Sequence, residues 1–266
     1  AQYAPRYAGR ANIRWLRHCV RTQARDVSLV TADARDYVRG LELRTGSTLV
    51  VWHSAMWLYL PRQTREEIVA ALDDLGSQAT RESPLVHIGL EPLSDHRDAQ
   101  HRFTLAMTTW PGIDGLPPGV EVPWGTTPPG GSPVTWNVPC AGGIVRDAGG
   151  RILLVSRGQE PARGLWSIPG GRIEGDEPWD VAAAREVLEE TGIRAADARY
   201  VGMIERDSGS GSTYVIADFA FTGEGEPRAA DDADDARWYD AAEIPGLDTS
   251  PGLVEALRGW GYLPGQ

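Results

Sequence analysis

The chain has 266 residues, 41% of them hydrophobic, and a formal charge of −11, which suits one large domain or two ordinary domains with packed cores. The acidic balance and the lack of a basic stripe disfavour nucleic acid as a partner. The longest apolar run, residues 47–60, is too short and polar to span a membrane, and the N-terminus lacks a signal-peptide pattern. We therefore expect no membrane partner and a cytoplasmic location.

Residue types that carry chemistry are unevenly distributed. Cys19 and Cys140 lie 121 positions apart without a metal-ligand pattern nearby, so two buried free thiols are expected. All 26 basic residues are Arg, which excludes lysine Schiff-base chemistry and a P-loop lysine. The acidic excess lies entirely in residues 141–266, which contain 12 Arg and 23 acidic residues. All five histidines precede residue 141, so acid–base chemistry beyond it requires carboxylates, Tyr or metal-bound water.

In the first half, short apolar runs alternate with a helical pattern. Strands are predicted at residues 27–33, 47–54, 84–92 and 103–110. A helix is predicted over residues 64–79, with Thr64 as its N-cap. This alternation predicts an α/β sheet with helical crossovers.

A proline- and glycine-rich segment follows. Residues 111–139 contain eight prolines and six glycines, a composition that argues against a long helix or a central strand. We therefore predict a domain boundary here, with a first domain at 1–110, a linker at 111–137 and a second domain at 138–266.

The second half has the pattern of a mixed sheet with an inserted helix, an α+β arrangement. Two strands are joined by the turn "DAGG", which indicates a hairpin, and three more strands follow the inserted helix. The predicted strands are 140–147, 151–158, 199–207, 213–221 and 235–240, and the predicted helices are 178–191 and 250–260.

The helix at 178–191 carries an unusual cluster of acidic residues. Pro178 suits its first turn, and Gly192 suits the position after its end. Helical phase separates three glutamates from an apolar group that we expect to pack: Glu186, Glu189 and Glu190 against Val181, Ala184 and Leu188. Like charges ~5–6 Å apart repel, and a bound divalent cation would relieve that repulsion. The alternative is an acidic surface helix in which Arg185 pairs with Glu189.

The residues before the helix complete a longer motif. In "GGRIEGDEPWDVAAAREVLEETGI", nine positions over 23 residues, from Gly171 to Ile193, resemble the Nudix box. The resemblance implies a loop–helix–loop in an α/β/α sandwich with a mixed sheet. It also implies hydrolysis of a nucleoside diphosphate linked to another group, with Mg²⁺ or Mn²⁺ required.

The same resemblance assigns roles by position. Glu186 and Glu190 correspond to the main metal ligands, together with the backbone carbonyl of Gly171. Glu189 contributes to the metal site or activates water. Arg185 holds the glutamates, and Glu177 supports the loop–helix geometry.

Residues outside the box are candidates for substrate contact. Arg157 could reach a phosphate, and Trp166 and Tyr214 could stack on a base, although an exposed arginine and core aromatics are the alternatives. Aspartates in "AADDADDARW" could supply a base from a loop, or the loop could simply be solvated. The run "GLWSIPGG" is similar to ADP-ribose pyrophosphatase and MutT-like members. A proline common in ADP-ribose-cleaving members is replaced by "DSGSGSTY".

Residues 11–110 resemble the C-terminal part of a domain family of unknown function, itself similar to a methyltransferase-type, partly Rossmann-like α/β sheet. The resemblance rests on "RWLRHCV", "TADARDYV", "TLVVWHSAMWLYLP" and "PLVHIGLEP". No glycine-rich strand-to-helix turn for a nucleoside cofactor is present before residue 111. His53 and Trp57 follow a strand, where α/β ligands bind, but an isolated structural histidine is the alternative.

Three functional hypotheses follow. The first is a Nudix pyrophosphohydrolase acting on ADP-ribose or a related small nucleotide, or on (d)NTPs in the manner of MutT. The second is a non-catalytic nucleotide sensor. The third is a methyltransferase acting through residues 11–110. A homodimer is compatible with each of them.

Overall fold

The computed structural model describes residues 30–54, 56–92, 103–127, 135–159, 162–207 and 212–264 and arranges them around two mixed β-sheets. The first sheet is built from the first half of the chain and the second sheet from the second half. Among these residues, no helix combines the length and the apolar character needed to cross a membrane.

The first sheet has the strand order β1-β2-β3-β4-β5. Its strands are Leu49–Ser54 (β1), Leu85–Pro92 (β2), Phe103–Trp110 (β3), Glu121–Thr127 (β4) and Thr135–Trp136 (β5). β1 and β2 are parallel, and the other neighbours are antiparallel. The strands predicted at 47–54, 84–92 and 103–110 are therefore confirmed, as is a helical crossover. The Rossmann-like character of this half stays a prediction.

Helices α1 (Ala34–Arg39) and α2 (Arg62–Gly76) accompany this sheet, and α2 makes the crossover between β1 and β2. A 3-10 helix, Trp57–Tyr59, follows β1. The two helices and the sheet share one apolar cluster, formed by Val38, Ile68, Leu72, Leu85 and Trp110. Burial alternates along β1, so His53 lies on the same, less exposed side as Leu49 and Val51.

Two predictions for this half are wrong in detail. Residues 30–33 form no strand, because Asp33 instead caps α1 by accepting the Arg35 backbone N–H at 2.9 Å. Thr64 is not an N-cap, because α2 already begins at Arg62, directly after the extended Pro61. Residues 27–29, the motif "RWLRHCV" and Cys19 lie outside the described residues.

The proline-rich segment holds a central strand, which corrects the expectation that it could not. β4 lies between β3 and β5, with a bulge where Leu105 faces Gly125 and Ala106 faces Pro123. A bulge tolerates proline because the ladder is interrupted there and no N–H is required. The side-chain amide of Asn137, the residue after β5, donates to the Pro123 carbonyl of β4 at 2.9 Å. The domain boundary at 111–137 stays a prediction.

The second sheet has the order β10-β11-β6-β7-β12, with β8 beside β7 and β9 beside β6. Its strands are Val138–Arg146 (β6), Ile152–Arg157 (β7), Trp166–Ser167 (β8), Gly170–Arg172 (β9), Ala196–Asp207 (β10), Thr213–Thr222 (β11) and Ala233–Tyr239 (β12). β11 and β6 are parallel, and β6 and β7 form the predicted hairpin. The mixed sheet and its five predicted strands are confirmed.

Two helices cover opposite faces of this sheet. Helix α3 (Trp179–Thr191) packs in a cluster with Ala141 and Leu153, whereas helix α4 (Leu253–Gly259) packs in a cluster with Ile144 and Leu154. Because adjacent strand residues point to opposite faces, these two clusters lie on opposite sides of β6 and β7. The predicted α/β/α layering of this half is thus present in the structure.

The proline-rich segment also packs against α3. Leu116 and Val122 lie in the same apolar cluster as the helix. Trp124 contacts Trp179 edge-on, with ring centroids 6.5 Å apart, and the Trp179 backbone N–H donates to the Asp114 carbonyl at 2.7 Å. The start of α3 is therefore held by residues from both halves of the chain.

Candidate active site

Helix α3 begins and ends where its sequence predicts. Pro178 occupies the N-cap position with extended dihedral angles. Gly192 adopts the left-handed conformation, φ 71°, and its N–H donates to the Leu188 carbonyl. A residue with a Cβ would be strained at this φ, so glycine allows the helix to stop here.

The packing face of α3 differs from the predicted one. Val181 and Leu188 are exposed, and of the three predicted residues only Ala184 packs, partly buried, against the apolar cluster. The buried apolar residues are Trp179, Ala182, Ala183 and Val187. These four recur at the spacing of an amphipathic stripe. Glu190 is itself only 8% exposed, so the glutamates do not simply oppose the packing face. Strand β9 covers Glu186 and Glu190, whereas Glu189 stays exposed.

Arg185 gathers three carboxylates. Its Nη2 and Nε donate to the two oxygens of Glu177 at 2.7 and 3.1 Å, a bidentate pair. Its Nη1 donates to Glu186 Oε1 at 2.8 Å and to Glu189 Oε2 at 2.9 Å. Hydrogen bonding to Arg185 lowers the pKa of Glu177, and the bond to Glu177 is also the largest cause of the raised Arg185 pKa. The pairing of Arg185 with Glu189 expected for a plain surface helix is thus one part of a larger network.

Glu190 is the most deeply buried acid of the helix. Its Oε2 accepts the Gly170 backbone N–H at 3.1 Å. Burial raises the pKa of Glu190 to about 7, the nearby Glu186 adds to the rise, and the Gly170 N–H and Arg157 oppose it. Arg157, proposed from sequence as a phosphate contact, therefore lies within electrostatic range of the central glutamate.

Glu186 is also largely enclosed by protein. Burial raises its pKa, Arg185 opposes that rise, and Glu189 and Asp231 add to it. Strand β9 leaves room for its carboxylate only because residue 171 is glycine, since a Cβ there would collide with Glu186 Oε1 and Oε2. The box residue Gly171 thus lies against Glu186 in the structure.

The loop "AADDADDARW" reaches the same place. The Ala230 backbone N–H donates to the Glu190 carbonyl at 3.1 Å, and the Arg228 N–H donates to the Thr191 carbonyl at 2.9 Å. Asp231 raises the pKa of Glu186, and Asp232 raises that of Glu190. The loop therefore brings two further negative charges toward the glutamates instead of being only solvated.

These residues suit a hard divalent cation. Two enclosed, like-charged carboxylates with raised pKa values lie beside Gly170 and Gly171, and a cation would offset their repulsion. Within the part of the chain that the structure describes, no three His, Cys, Asp or Glu side chains form a ready metal cluster. Mg²⁺ does not require one, because it is held by one or two carboxylates, water and substrate phosphates. Glu186 and Glu190 meet that requirement.

The two candidate aromatic residues lie in different surroundings. Tyr214 on β11 accepts a hydrogen bond from Arg172 Nη2 at 3.4 Å, and the carbonyl of Arg172 accepts from Arg185 at 3.0 Å. Tyr214 is therefore connected to the glutamate network through Arg172. Trp166 instead packs edge-on against Tyr239 at 5.0 Å, in the cluster under α4.

Sequence reasoning overlooked Arg172 and Asp218. Asp218 on β11 is 1% exposed, and burial raises its pKa to about 7, opposed by Arg206. Its Oδ1 has no hydrogen-bond partner among the described residues, and the absent side chain of Gly142 makes room for it. The sequence signal for Asp218 is the presence of an acidic residue within the apolar run "TYVIADFAF". Cys140 is a buried free thiol, as predicted, and burial raises its pKa to about 11.

Comparison with family models divides the chain near residue 136. A model described as the NUDIX domain matches residues 136–257. A model described as an uncharacterized protein conserved in bacteria (DUF2332) matches residues 10–136 and so includes the predicted linker. The resemblance of the first half to a family of unknown function is therefore confirmed, whereas its methyltransferase-like character stays a prediction.

Individual relatives match the second half. A Mycobacterium tuberculosis protein named "Putative 8-oxo-dGTP diphosphatase 2" is 36% identical over 122 residues, which cover 45% of this chain and 82% of that protein. A Methanocaldococcus jannaschii ADP-ribose pyrophosphatase is 32% identical over 100 residues, covering 36% and 59%. Among solved structures, a MutT NUDIX hydrolase from Burkholderia pseudomallei aligns with 46% of this chain and 96% of its own, at 26% identity and a TM-score of 0.42.

Proposed function

The chain belongs to the NUDIX family, a family of pyrophosphohydrolases, and we propose that its second half hydrolyses the diphosphate linkage of a nucleotide with Mg²⁺ or Mn²⁺. The observation that carries this proposal is the arrangement around Arg185, which holds Glu177, Glu186 and Glu189 while Glu190 lies buried beside Gly170. A purely structural helix gains nothing from this enclosure of like charges.

The cation would be held by Glu186 and Glu190, together with the carbonyl of Gly171. When bound, it neutralises the diphosphate and lowers the pKa of the attacking water. The chain supports this chemistry by fixing the carboxylates: Arg185 restrains Glu186, and the Gly170 N–H restrains Glu190. Restrained ligands need little reorganisation when charge develops on the substrate.

The remaining residues act on water and substrate. Glu189 is half exposed, and one of its oxygens is held by Arg185, so its carboxylate is available to accept a proton from water. Arg157 lies at the end of β7, near Glu190, and supplies a positive charge for a substrate phosphate. Tyr214 and Arg172 form a cation–aromatic pair, 5.8 Å from guanidinium to ring centroid, that would border the nucleoside. Trp166 is partly buried against Tyr239, and its partly exposed ring is our second candidate for stacking on a base.

The substrate is a small nucleotide with a diphosphate. ADP-ribose or a related compound is our first candidate. The M. tuberculosis relative, which aligns over more of its length than the ADP-ribose pyrophosphatase does, favours a (d)NTP as the second. Both candidates contain a diphosphate linkage that would lie against the glutamates, and they differ in the group attached to that linkage.

The test is hydrolysis of a panel containing ADP-ribose, nucleotide sugars, dinucleoside polyphosphates, dNTPs and 8-oxo-dGTP, with Mg²⁺ or Mn²⁺. We expect Glu190→Gln to reduce turnover by roughly 100-fold or more, as removal of a charge-stabilising group does. Glu226→Gln is the matched control, because Glu226 is exposed and distant in sequence from the box. Equal turnover by wild type and Glu190→Gln would overturn the mechanism.

A non-catalytic nucleotide sensor remains the alternative function. It is motivated by the additional first half, and it predicts nucleotide-induced thermal stabilisation without product. The box keeps all three glutamates, which a pure sensor does not need. Stabilisation by a nucleotide that is never hydrolysed, across the whole panel, would favour the sensor.

A further inference from the structure

A second cavity lies away from the glutamates, between the first sheet and strand β10. Its volume is about 540 Å³, within the usual range of small-molecule sites. Strands β1 to β4 and helix α2 supply most of its lining, and Met203 and Glu205 of β10 complete it. Because β10 belongs to the second sheet, both halves of the chain are needed to form this cavity.

One wall is an ordered array of a carboxylate and two imidazoles. Glu91 Oε1 lies 2.7 Å from His53 Nδ1, and His53 Nε2 lies 2.9 Å from His87 Nε2. Glu91 also accepts the backbone N–H groups of Met56 and Trp57, at 2.9 and 3.2 Å. His53 is therefore not the isolated histidine that the sequence allowed as an alternative. His53 and Glu91 lie near the carboxyl ends of the parallel strands β1 and β2, where α/β proteins bind ligands, whereas His87 lies nearer the start of β2, opposite Val51.

Three further carboxylates face the cavity without cationic partners. Asp73, Glu121 and Glu205 line it, and none of their side chains has an ion pair or hydrogen bond within the described ranges. No Arg is among the residues that line the cavity, and the chain contains no Lys. Enclosure by protein raises the pKa of Glu121, His53 opposes the rise, and Glu205 adds to it. The cavity therefore concentrates negative charge that no Arg or Lys side chain compensates.

Two threonine hydroxyl groups of the lining are also left without partners. The Thr104 hydroxyl oxygen is buried and has no hydrogen-bond partner among the described residues. Thr108, which is 6% exposed, also lines the cavity and makes no side-chain hydrogen bond in the part of the chain that the structure describes. Buried polar side chains are normally hydrogen-bonded, so these two groups point to a molecule that occupies the space. Trp57, stacked on His53 at 4.5 Å, adds an aromatic surface.

We propose that this cavity binds a small organic cation, a protonated amine or amidinium attached to a flat or apolar body. Carboxylates accept the N–H groups of such a ligand, and tryptophan rings attract its charge. A phosphate group is disfavoured because no Arg lines the cavity and the chain contains no Lys. A transition metal would need three or more protein ligands, and among the described residues no such group of His, Cys, Asp and Glu is arranged. The site is separate from the glutamate site and selects the opposite ligand charge.

The test is calorimetric titration of the full chain with benzamidine, tyramine and agmatine at about 150 mM salt, where general attraction to the acidic chain is screened. Benzamide and benzoate are the neutral and anionic controls, because they match benzamidine in shape. We expect benzamidine to bind at least tenfold more tightly than benzamide, and benzoate not to bind. Failure of all three cations to bind the folded chain overturns the proposal.

Matched variants locate the binding. Glu121→Gln and Glu205→Gln should each weaken cation binding by tenfold or more, and Thr108→Val by a smaller factor. Glu82→Gln, an exposed acid outside the cavity, should leave the affinity unchanged. Equal weakening by Glu82→Gln and Glu121→Gln would show general attraction to an acidic surface and reject the site. Saturable Zn²⁺ binding that is abolished by His87→Gln, with no amine bound, would replace the proposal by a metal site. Because all of these are binding measurements, they are independent of nucleotide hydrolysis.

Discussion

In the second half, three glutamates share the guanidinium of Arg185, whereas in the first half Glu91 pairs with the imidazole of His53 and with two backbone N–H groups. Arg185 and its glutamates lie on helix α3 and the loop before it. Glu91, His53 and the two N–H groups come from strands β1 and β2 and from the residues that follow β1. A guanidinium remains charged at all relevant pH values, whereas an imidazole can gain or lose a proton. The two sites should therefore respond differently to mutation and to pH.

The largest expected effect is that of Arg185→Ala. It leaves Glu177 and Glu186, both enclosed, without their cation, so we expect unfolding free energy to fall by about 3 kcal/mol. Hydrolysis should fall by roughly 100-fold, because the carboxylates lose their positions. Arg62→Ala, which breaks the exposed pair with Glu66, should cost less than about 1 kcal/mol. Chemical denaturation and initial rates measure both quantities, and similar losses in the two variants would contradict the special role of Arg185.

The next effect concerns pH in the second half. The folded-state pKa of Asp218 is raised by burial from 3.8 to about 7, so the folded chain binds this proton more tightly than the unfolded chain. Its contribution is fully present below pH 3.8 and is lost as pH rises through 7, about 2–4 kcal/mol in total. Asp218→Asn should remove this loss. Urea unfolding at pH 5 and pH 8 tests it, and parallel pH curves for variant and wild type would contradict it.

The first half should respond in the opposite direction. Burial, with a contribution from His53, lowers the pKa of His87 from 6.5 to about 4. Its contribution to stability is present above pH 6.5 and is lost as pH falls through 4, about 2–3 kcal/mol. His87→Gln should flatten this acid branch, whereas Asp218→Asn should keep it. Hydrogen exchange of the β1 and β2 amides at pH 4.5 and 7 localises the change, and equal acid sensitivity in His87→Gln would exclude His87 as its source.

The smallest effect on stability is expected for Gly171→Ala. A Cβ there would displace the Glu186 carboxylate, but that side chain is flexible, so stability should fall by less than about 1 kcal/mol. Hydrolysis should nevertheless fall about tenfold, because a ligand has moved. Gly246→Ala has no atom within 4 Å of the new Cβ and serves as the control. Unchanged turnover by Gly171→Ala would show that the close contact between residue 171 and Glu186 is not needed for hydrolysis.

The glutamate site could be predicted because its residues are close in sequence as well as in space. Arg185, Glu186, Glu189 and Glu190 lie on one helix, where spacing along the chain determines spacing on the surface. The predicted packing face is nevertheless wrong in most of its residues, because the side opposite the glutamates is not the side that is buried. Strand β9 covers Glu186 and Glu190, and that cover depends on the pairing of β9 with β6.

The histidine array could not be predicted in the same way. His53 and Glu91 meet because β1 and β2 are parallel in one particular register, with His53 opposite Gly89. Nothing in the spacing of residues 53, 87 and 91 fixes that register, since it is set by strand pairing in three dimensions. Strand β4 could not be predicted either, because its pairing also depends on a register that the sequence does not show. Its Pro123 lies beside a bulge, where the missing N–H does not interrupt the strand.

The contact between Trp179 and the proline-rich segment affects how the two halves can be separated. Leu116, Val122 and Trp124 cover the same cluster that supports helix α3, although they lie outside the matched NUDIX segment. A protein beginning at residue 138 would present this cluster to water and lose the Asp114 carbonyl that accepts the Trp179 N–H. The halves are thus not interchangeable modules, and a recombination event between them would have to supply a new apolar cover for helix α3.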